Sequence, residues 1–309
     1  MPVSSRRRVR LAPFLVAAVT LSACGSSSDG ATADPTDAPA DSTMTDSTTG
    51  ASSAPDSSSC AAGKTLTDGT LTIATGEPAF PPYVVDDTPE NKQGFESAVA
   101  WAVADQMGFG DDTVTWVRTT FDEAIQPGPK SFDFNLQQYS ISPERAQTIS
   151  FSDPYYTSNQ AIVGLNGSAA EGATTLADLK GVKFGVQAGT TSLNFVNDVI
   201  QPDDDVFVYD DNVGAKAALE ANQIDAIIVD LPTAFYISAA EIENSSVIAQ
   251  FPASAGGTTD EFGMVFEQDN PLVQCVNDAL ASLKDSGELD AITEQWMSTE
   301  MGAPVIELG

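Results

Sequence analysis

From Leu66 onward, short apolar runs typical of strands alternate with stretches of helical periodicity, and this alternation constrains the fold most. Residues 71–74 and 114–117 are predicted strands, and between them four apolar residues recur along one helix face: Phe95, Val99, Val103 and Met107. A second series of strand-like runs occupies 161–163, 182–186, 206–209 and 226–229, with a predicted helix at 215–222. Two further helices are predicted between Leu272 and Trp296, separated at 285–287. This order predicts an α/β fold with largely parallel sheets.

The amino-terminal segment has the pattern of an export signal. Four arginines lie in the first ten residues, and an apolar run from Leu11 to Leu21 follows them. That run is too short to span a bilayer as a permanent helix, so residues 1–23 are predicted to be a signal peptide. The sequence Leu-Ser-Ala-Cys ending at Cys24 resembles the bacterial lipobox, which implies a lipidated cysteine and a protein held at the outer face of the cytoplasmic membrane. An ordinary signal peptide with an incidental cysteine is the alternative.

The next segment is predicted to be a flexible linker. Residues 25–59 contain Ser, Thr, Asp, Pro, Ala and Gly but no Leu, Ile, Val or Phe. Such a stretch cannot bury enough apolar surface to offset its ordering entropy. Together with Cys24 it forms a tether, 24–59, that would let an anchored domain reach a membrane partner. An adhesion stalk would have a similar composition.

Charge and composition exclude several classes of function. The chain has 44 acidic and 13 basic residues and a net charge of -31, so it repels nucleic acid. It contains no histidine, which removes Ser-His and Cys-His catalysis and most zinc sites. We also expect no catalytic residue, metal or cofactor. With Cys24 lipidated, Cys60 and Cys275 form the one possible pair, a disulfide in an oxidising compartment, with free thiols as the alternative.

Several segments, in order, resemble one protein family. They are LTIATGEPAFPPY at 71–83, FDFNLQQYSISPERAQTISFSDPYY at 132–156, VKFGVQAGTT at 182–191 and IDAIIVDLP at 224–232. This set resembles the bacterial extracellular solute-binding proteins of family 3, which bind polar amino acids for ATP-driven importers. The resemblance spans about 66–300. It implies a two-lobed type II periplasmic-binding-protein fold with two hinge crossings, in which lobe 1 comprises 60–157 and 256–309 and lobe 2 comprises 158–255.

The resemblance also implies a site for the ligand α-carboxylate. Arg145 takes the position of the family arginine, whose planar fork of donors suits a carboxylate. A surface arginine paired with Glu144 is the alternative. Ser140 matches a hydroxyl that contacts the ligand. Thr190 and Thr191 would add donors at a helix N-terminus, although plain N-capping would explain them as well.

The remaining site residues are implied for the ammonium and the side chain of the ligand. Asp230, which closes the strand at 226–229, would accept the ammonium. Phe80 and Phe121 occupy positions that stack on the ligand side chain, whereas buried aromatic residues are usually part of the core. Glu77 aligns with an acidic position facing the ligand side chain, which favours nitrogen-bearing solutes over glutamate and aspartate. A solvated loop residue is the alternative for Glu77, and Tyr83 is assigned to packing.

Two departures from the family pattern affect the predicted cleft. Gln138, preceded by Gln137 and Asn135, replaces a small residue found in many relatives, so these amides are candidates to enter the cleft. Proline residues at 127 and 129 interrupt the helix that commonly follows the Phe121 position, which puts the role of Phe121 in question.

Taken together, these features predict the substrate-binding subunit of an ABC importer, a monomer that captures a polar or basic amino acid by hinge closure. Its partners would be a membrane permease and the ATPase subunit. A lipoprotein that senses a ligand without transport would have the same sequence features. A periplasmic enzyme on the same fold is the other alternative, and it would need an acid or base such as Glu77 or Glu96 in the cleft.

Overall fold

A computed structural model describes residues 60–257, 259–297 and 303–308. The predicted signal peptide, lipidation site Cys24 and linker lie outside these described residues. The strands are β1 (Leu71–Gly76), β2 (Val114–Thr119), β3 (Phe134–Asn135), β4 (Ile149–Phe151), β5 (Tyr156–Thr157), β6 (Gln160–Leu165), β7 (Phe184–Gln187), β8 (Phe207–Tyr209), β9 (Ala226–Asp230), β10 (Ser245–Gln250), β11 (Glu261–Phe262) and β12 (Val265–Glu267). The helices are α1 (Phe95–Gln106), α2 (Phe121–Ile125), α3 (Thr191–Phe195), α4 (Asn212–Glu220), α5 (Leu231–Tyr236), α6 (Val273–Ser286) and α7 (Glu288–Met297).

The strands form two five-stranded sheets, in the orders β2-β1-β3-β12-β4 and β10-β6-β9-β7-β8. In each sheet four strands run in one direction, and only β12 or β6 runs against its neighbours. The prediction of largely parallel sheets is therefore right. The two exceptions are the first strands to enter each sheet after the chain has come from the other sheet. No helical crossover within the sheet precedes them, so no crossover fixes their direction.

Each sheet is covered on both faces. Along β6, Ile162 packs into one hydrophobic cluster, while Ala161 and Val163 pack into another on the opposite face. Along β1, Ile73 belongs to the cluster that contains α1, α6 and α7, and Ala74 belongs to a second cluster. Because successive side chains of a strand point to opposite faces, this division gives two three-layer α/β/α bodies.

Two segments connect the sheets, and they pair with each other as the short strands β5 and β11. The end of the chain differs from the prediction that placed it with lobe 1. Gln250 N donates to Pro304 O at 2.8 Å, and Ile306 N donates to Gln250 O at 2.9 Å. Ile306 is buried in the core of the second sheet. A few apolar residues in a short segment without periodicity carry no signal of which sheet they will cover.

Local sequence explains several helix boundaries. α1 begins after Gly94, where an added Cβ would lie 2.4 Å from Tyr83 O, so only glycine fits. α2 ends at Ile125, since Gln126 precedes a proline and is extended. α6 runs through Ser286, and the predicted break at 285–287 narrows to Gly287, which is left-handed with φ 76°.

A disulfide joins Cys60 to Cys275 on α6, with their Cα atoms 5.7 Å apart. It ties the residue at the start of the described domain to the helical layer of the first sheet. Within the part of the chain that the structure describes, no helix is both long enough and apolar enough to cross a membrane.

Candidate ligand-binding site

A cavity of about 350 Å³ lies where the carboxyl ends of parallel strands from both sheets meet. The loops that follow β1, β2 and β3 line one side of it, and the loops that follow β7, β8 and β9 line the other. This is the position in which α/β folds place their ligands. The cavity lining includes all the residues predicted to bind ligand: Glu77, Phe80, Phe121, Gln138, Ser140, Arg145, Thr190, Thr191 and Asp230.

Arg145 presents an unneutralised guanidinium to the cavity. Its Nη1 donates to Ser140 O and its Nη2 to Gly189 O, both at 2.8 Å. Among the described residues it forms no ion pair, so the alternative of a pair with Glu144 is not what the structure shows. Burial lowers the pKa of the guanidinium. Because these hydrogen bonds go to neutral carbonyl groups, the positive charge of Arg145 is not neutralised and can pair with an anion.

Hydroxyl groups from both sheets line the same cavity. Ser140 Oγ and Thr191 Oγ1 lie 3.1 Å apart, one from each side of the cavity. Thr190 caps α3, since its Oγ1 accepts from Leu193 N at 3.1 Å, and it also donates to Gln187 O at 2.8 Å. The capping interpretation therefore applies to Thr190, while the Thr191 hydroxyl remains in the cavity wall.

Asp230 stands at the carboxyl end of β9 and caps α5. Its Oδ1 accepts from Thr233 N at 2.9 Å, and its Oδ2 accepts from Thr233 Oγ1 at 2.7 Å. Burial raises the pKa of this carboxyl group, and the bonds from Tyr83 and Thr233 oppose that rise. A partly buried carboxylate that keeps an acceptor site free on Oδ2 is suited to accept an ammonium group.

Tyr83 reaches Asp230 across the cavity. Its hydroxyl donates to Asp230 Oδ1 at 2.5 Å, while its ring packs edge-on against Phe95 and Phe262. The predicted packing role therefore describes the ring of Tyr83 but not its hydroxyl, which links the two sheets. Burial and the nearby Asp230 raise the pKa of the phenol well above its usual value, so the hydroxyl stays protonated and donates. No motif in the sequence pairs these two residues, which are 147 positions apart.

The two predicted aromatic residues have partners of their own. The Phe121 ring lies against Tyr139, with centroids 4.7 Å apart, and the Arg145 guanidinium carbon is 5.4 Å from the Phe121 centroid. Lys216 Nζ lies 4.5 Å from the centroid of the Phe80 ring. Sequence reasoning missed Lys216, which α4 of the second sheet brings over a loop of the first.

The amides flagged as departures take different positions. Gln137 and Gln138 line the cavity, whereas Asn135 is buried in β3 and donates to Thr119 Oγ1 at 2.8 Å. The prediction that all three could enter the cleft is wrong for Asn135, because its side chain is fully buried and bonded to Thr119. Gln137 Oε1 accepts from the Tyr139 hydroxyl at 2.8 Å.

Acidic side chains dominate the cavity wall. Besides Asp230, five carboxylates line it: Glu77, Asp122, Asp210, Asp211 and Asp260. Asp260 is only 8% exposed, and its Oδ2 accepts from Gln160 Nε2 at 2.6 Å. Burial raises the pKa of Asp260, and the charge of Arg145 opposes that rise. Sequence reasoning missed Asp260, which directly precedes β11. In the described part of the chain no cluster of acidic or sulfur ligands could hold a metal.

Two sheets of this order, with a cavity at their facing carboxyl ends, define the type II periplasmic-binding-protein fold. Residues 71–299 match the bacterial extracellular solute-binding proteins of family 3, and the chain belongs to that family.

Curated relatives cover most of the chain. The L-cystine-binding protein of Escherichia coli K12 is 29% identical over 236 residues, which is 75% of this chain and 84% of that protein. The putative ABC transporter arginine-binding protein 2 of Escherichia coli K12 is also 29% identical, over 74% of this chain and 90% of that protein. Both relatives are thus amino-acid-binding proteins, and the second is a putative ABC transporter protein.

Solved structures agree with the fold. An ancestral arginine-binding protein bound to glutamine is 30% identical, with a TM-score of 0.61, over 74% of this chain and 98% of that one. An ancestral amino-acid-binding protein described as a precursor of cyclohexadienyl dehydratase is 29% identical, with a TM-score of 0.60, over 74% of this chain and 95% of that one.

Proposed function

We propose that this protein is the lipid-anchored substrate-binding subunit of an ABC importer and captures a polar or basic amino acid in the cavity between its lobes. The observation that carries the proposal is the placement of Arg145 and Asp230 in one cavity. A guanidinium without a carboxylate partner and a carboxylate with a free acceptor site are complementary to the two charges of an α-amino acid. Both ligand charges would be paired as they leave water. Pairing is needed because burying an unpaired charge costs a large amount of free energy.

The wall charge supports a neutral or cationic ligand side chain. Six carboxylates and one guanidinium line the cavity. Once Arg145 binds the α-carboxylate, the remaining field is negative and disfavours a second ligand carboxylate. Glu77 and Phe80 are the residues proposed to face the side chain, and a guanidinium, ammonium or amide would suit them best.

Binding without turnover is supported by where the strongly perturbed acid lies. Burial raises the pKa of Glu96 to about 7, a value that would suit a general acid or base. Glu96 does not line the cavity, because Gln138 lies between the Glu96 carboxylate and the cavity. The acid best tuned for proton transfer is therefore not presented to a ligand.

Closure of the lobes would complete the site. Contacts across the cavity, Tyr83 with Asp230 and Ser140 with Thr191, require the two sheets to be close together. We propose that the closed, loaded protein docks as a monomer on a membrane permease that works with an ATPase subunit, and that lipidated Cys24 keeps it near that permease.

A thermal-shift screen of the purified chain, freed of co-purified ligand, tests the binding proposal. A ligand at about 1,000 times its Kd stabilises by about 4 kcal/mol, which raises the Tm of a domain of this size by about 10 °C. We expect such a shift with a basic or amide-bearing amino acid and its loss in Arg145→Ala. No shift with any amino acid, or an equal shift in Arg145→Ala, would contradict the proposed site. Release of Cys24→Ser protein from the membrane fraction would test the anchor.

A further inference from the structure

Glu96 is a buried carboxylate with an unusual set of partners. It lies in the first turn of α1 and is 1% exposed. Its Oε1 accepts from Gln138 N at 2.8 Å and from the Tyr155 hydroxyl at 2.5 Å, and its Oε2 accepts from Gln138 Nε2 at 2.5 Å. No lysine or arginine pairs with it in the described residues. Three donated hydrogen bonds therefore do the work that a cation does for most buried carboxylates.

This arrangement decides which way the Gln138 amide points. A carboxylate can only accept hydrogen bonds, so the amide nitrogen must face Glu96 and the carbonyl oxygen must face away from it. Gln138 lines the cavity, and within the described chain its Oε1 accepts no hydrogen bond. Its backbone N–H is held by the same carboxylate, in a left-handed conformation with φ 50°. Both ends of the residue are therefore fixed by Glu96.

We propose that Glu96, without touching the ligand, selects ligand side chains that donate hydrogen bonds by fixing Gln138 with its carbonyl oxygen toward the cavity. The inference rests on the proposed amino-acid binding and deepens it. A guanidinium or ammonium group can donate to Gln138 Oε1, whereas a carboxylate would meet an acceptor and be repelled. The neighbouring Gln137 is held in the opposite sense, because its Oε1 is taken by Tyr139. Glu96 is thus a positioning residue for Gln138 alone.

Protonation of Glu96 would reverse this selection. A protonated carboxyl has an O–H to donate, so the Gln138 amide can rotate, accept with Oε1 and turn its NH₂ group to the cavity. Burial raises the pKa of Glu96 to about 7 and outweighs the bonds from Tyr155 and Gln138 that lower it. Four titratable groups act on Glu96: Tyr83, Tyr139, Tyr155 and Asp230. The three tyrosines have pKa values well above 10 and stay neutral, and Asp230 adds to the rise.

The test is the ratio of two dissociation constants, for glutamate and for arginine, measured by calorimetry on the purified chain at pH 8.5 and pH 5.5. Neither probe changes its side-chain charge in this range. Titration of Asp230 or Asp260 would affect the α-ammonium or α-carboxylate group of the ligand. Both probes have these groups, so the effect cancels in the ratio of their dissociation constants. We expect the wild-type glutamate-to-arginine ratio to fall at least about fivefold from pH 8.5 to pH 5.5, and Glu96→Gln to have a low ratio that does not change with pH.

A matched control and a second variant separate the outcomes. Glu77→Gln should change the ratio but keep its pH dependence. If Glu96→Gln does not fold, Gln138→Met, which keeps the chain length and removes the amide, should abolish the pH dependence instead. A wild-type ratio that is constant with pH, or a pH dependence that survives in either Glu96→Gln or Gln138→Met, overturns this inference alone. Failure of every amino acid to bind the wild-type protein overturns the proposed function and this inference with it.

Discussion

Replacing Tyr83 with phenylalanine isolates the hydrogen bond that crosses the cavity. The substitution removes one oxygen from a side chain that is 2% exposed and leaves its ring contacts in place. The lost bond is donated to Asp230 Oδ1 at 2.5 Å. Hydrogen bonds to charged groups contribute about 1.5–3 kcal/mol, which corresponds to a loss of about 10- to 100-fold in affinity. Since the bond joins the two sheets, it forms only when the lobes are closed. Its removal should therefore destabilise the closed, ligand-bound state and have little effect on the open state.

Stopped-flow binding of the amino acid found in the thermal screen provides the assay. We expect Tyr83→Phe to raise the dissociation rate about 10- to 100-fold and to change the association rate little, because the initial encounter takes place with the lobes open. The Tm of the ligand-free protein should change by no more than a few degrees.

Tyr155→Phe is the matched control. Tyr155 is also buried and also donates to a carboxylate at 2.5 Å, but its partner Glu96 lies in the same lobe. Its loss should lower the Tm of the ligand-free protein and have a smaller effect on the dissociation rate. The reasoning is refuted if Tyr83→Phe lowers the ligand-free Tm as much as Tyr155→Phe and leaves ligand dissociation unchanged.

Three further outcomes are expected. Asp230→Asn should weaken every amino-acid ligand by about 10- to 100-fold in calorimetry, since all of them share the ammonium, and an effect on only some ligands would refute its assignment. Glu77→Gln should change the ranking of amino acids in the thermal screen, and an unchanged ranking would remove Glu77 from the specificity argument. Urea unfolding should show stability falling from pH 5 to pH 8, because burial raises the Glu96 pKa from 4.5 to about 7 and the folded protein holds that proton longer than the unfolded chain. The decline attributable to Glu96 is about 3 kcal/mol, and Glu96→Gln should lose that part of it.

The sequence was sufficient for the parts of this protein that depend on local pattern or on family motifs. Strand and helix alternation predicted the α/β layers, and the family motif around Arg145 predicted a residue that lines the cavity. The Tyr83–Asp230 bond could not be predicted, because the two residues become neighbours only through the approach of two sheets. Glu96 was named only as a possible catalytic acid, since nothing in the sequence shows that it is covered by Gln138.

The directions of individual strands and the position of the carboxyl-terminal segment were predicted less well, because they too depend on contacts between segments that are distant in the sequence. The reversed strands β6 and β12 enter from the other sheet, and their residues have the same apolar character as those of the parallel strands. Ile306 covers the second sheet, where Gln250 forms two backbone hydrogen bonds, one to Pro304 and one from Ile306. This contact depends on tertiary position and has no periodicity. Contacts that depend on how distant segments are brought together by the fold are the hardest to predict from a single sequence.

The disulfide has a mechanical consequence if the protein is held at a membrane through its amino-terminal segment. That segment enters the described domain at Cys60, and the bond to Cys275 passes any pulling force directly into α6. The tether is therefore attached to the helical layer beside the first sheet, and not to either of the two segments that connect the sheets. Tension in the tether would reach the second lobe only by way of the first, so the anchor leaves the connecting segments free to bend as the lobes open and close.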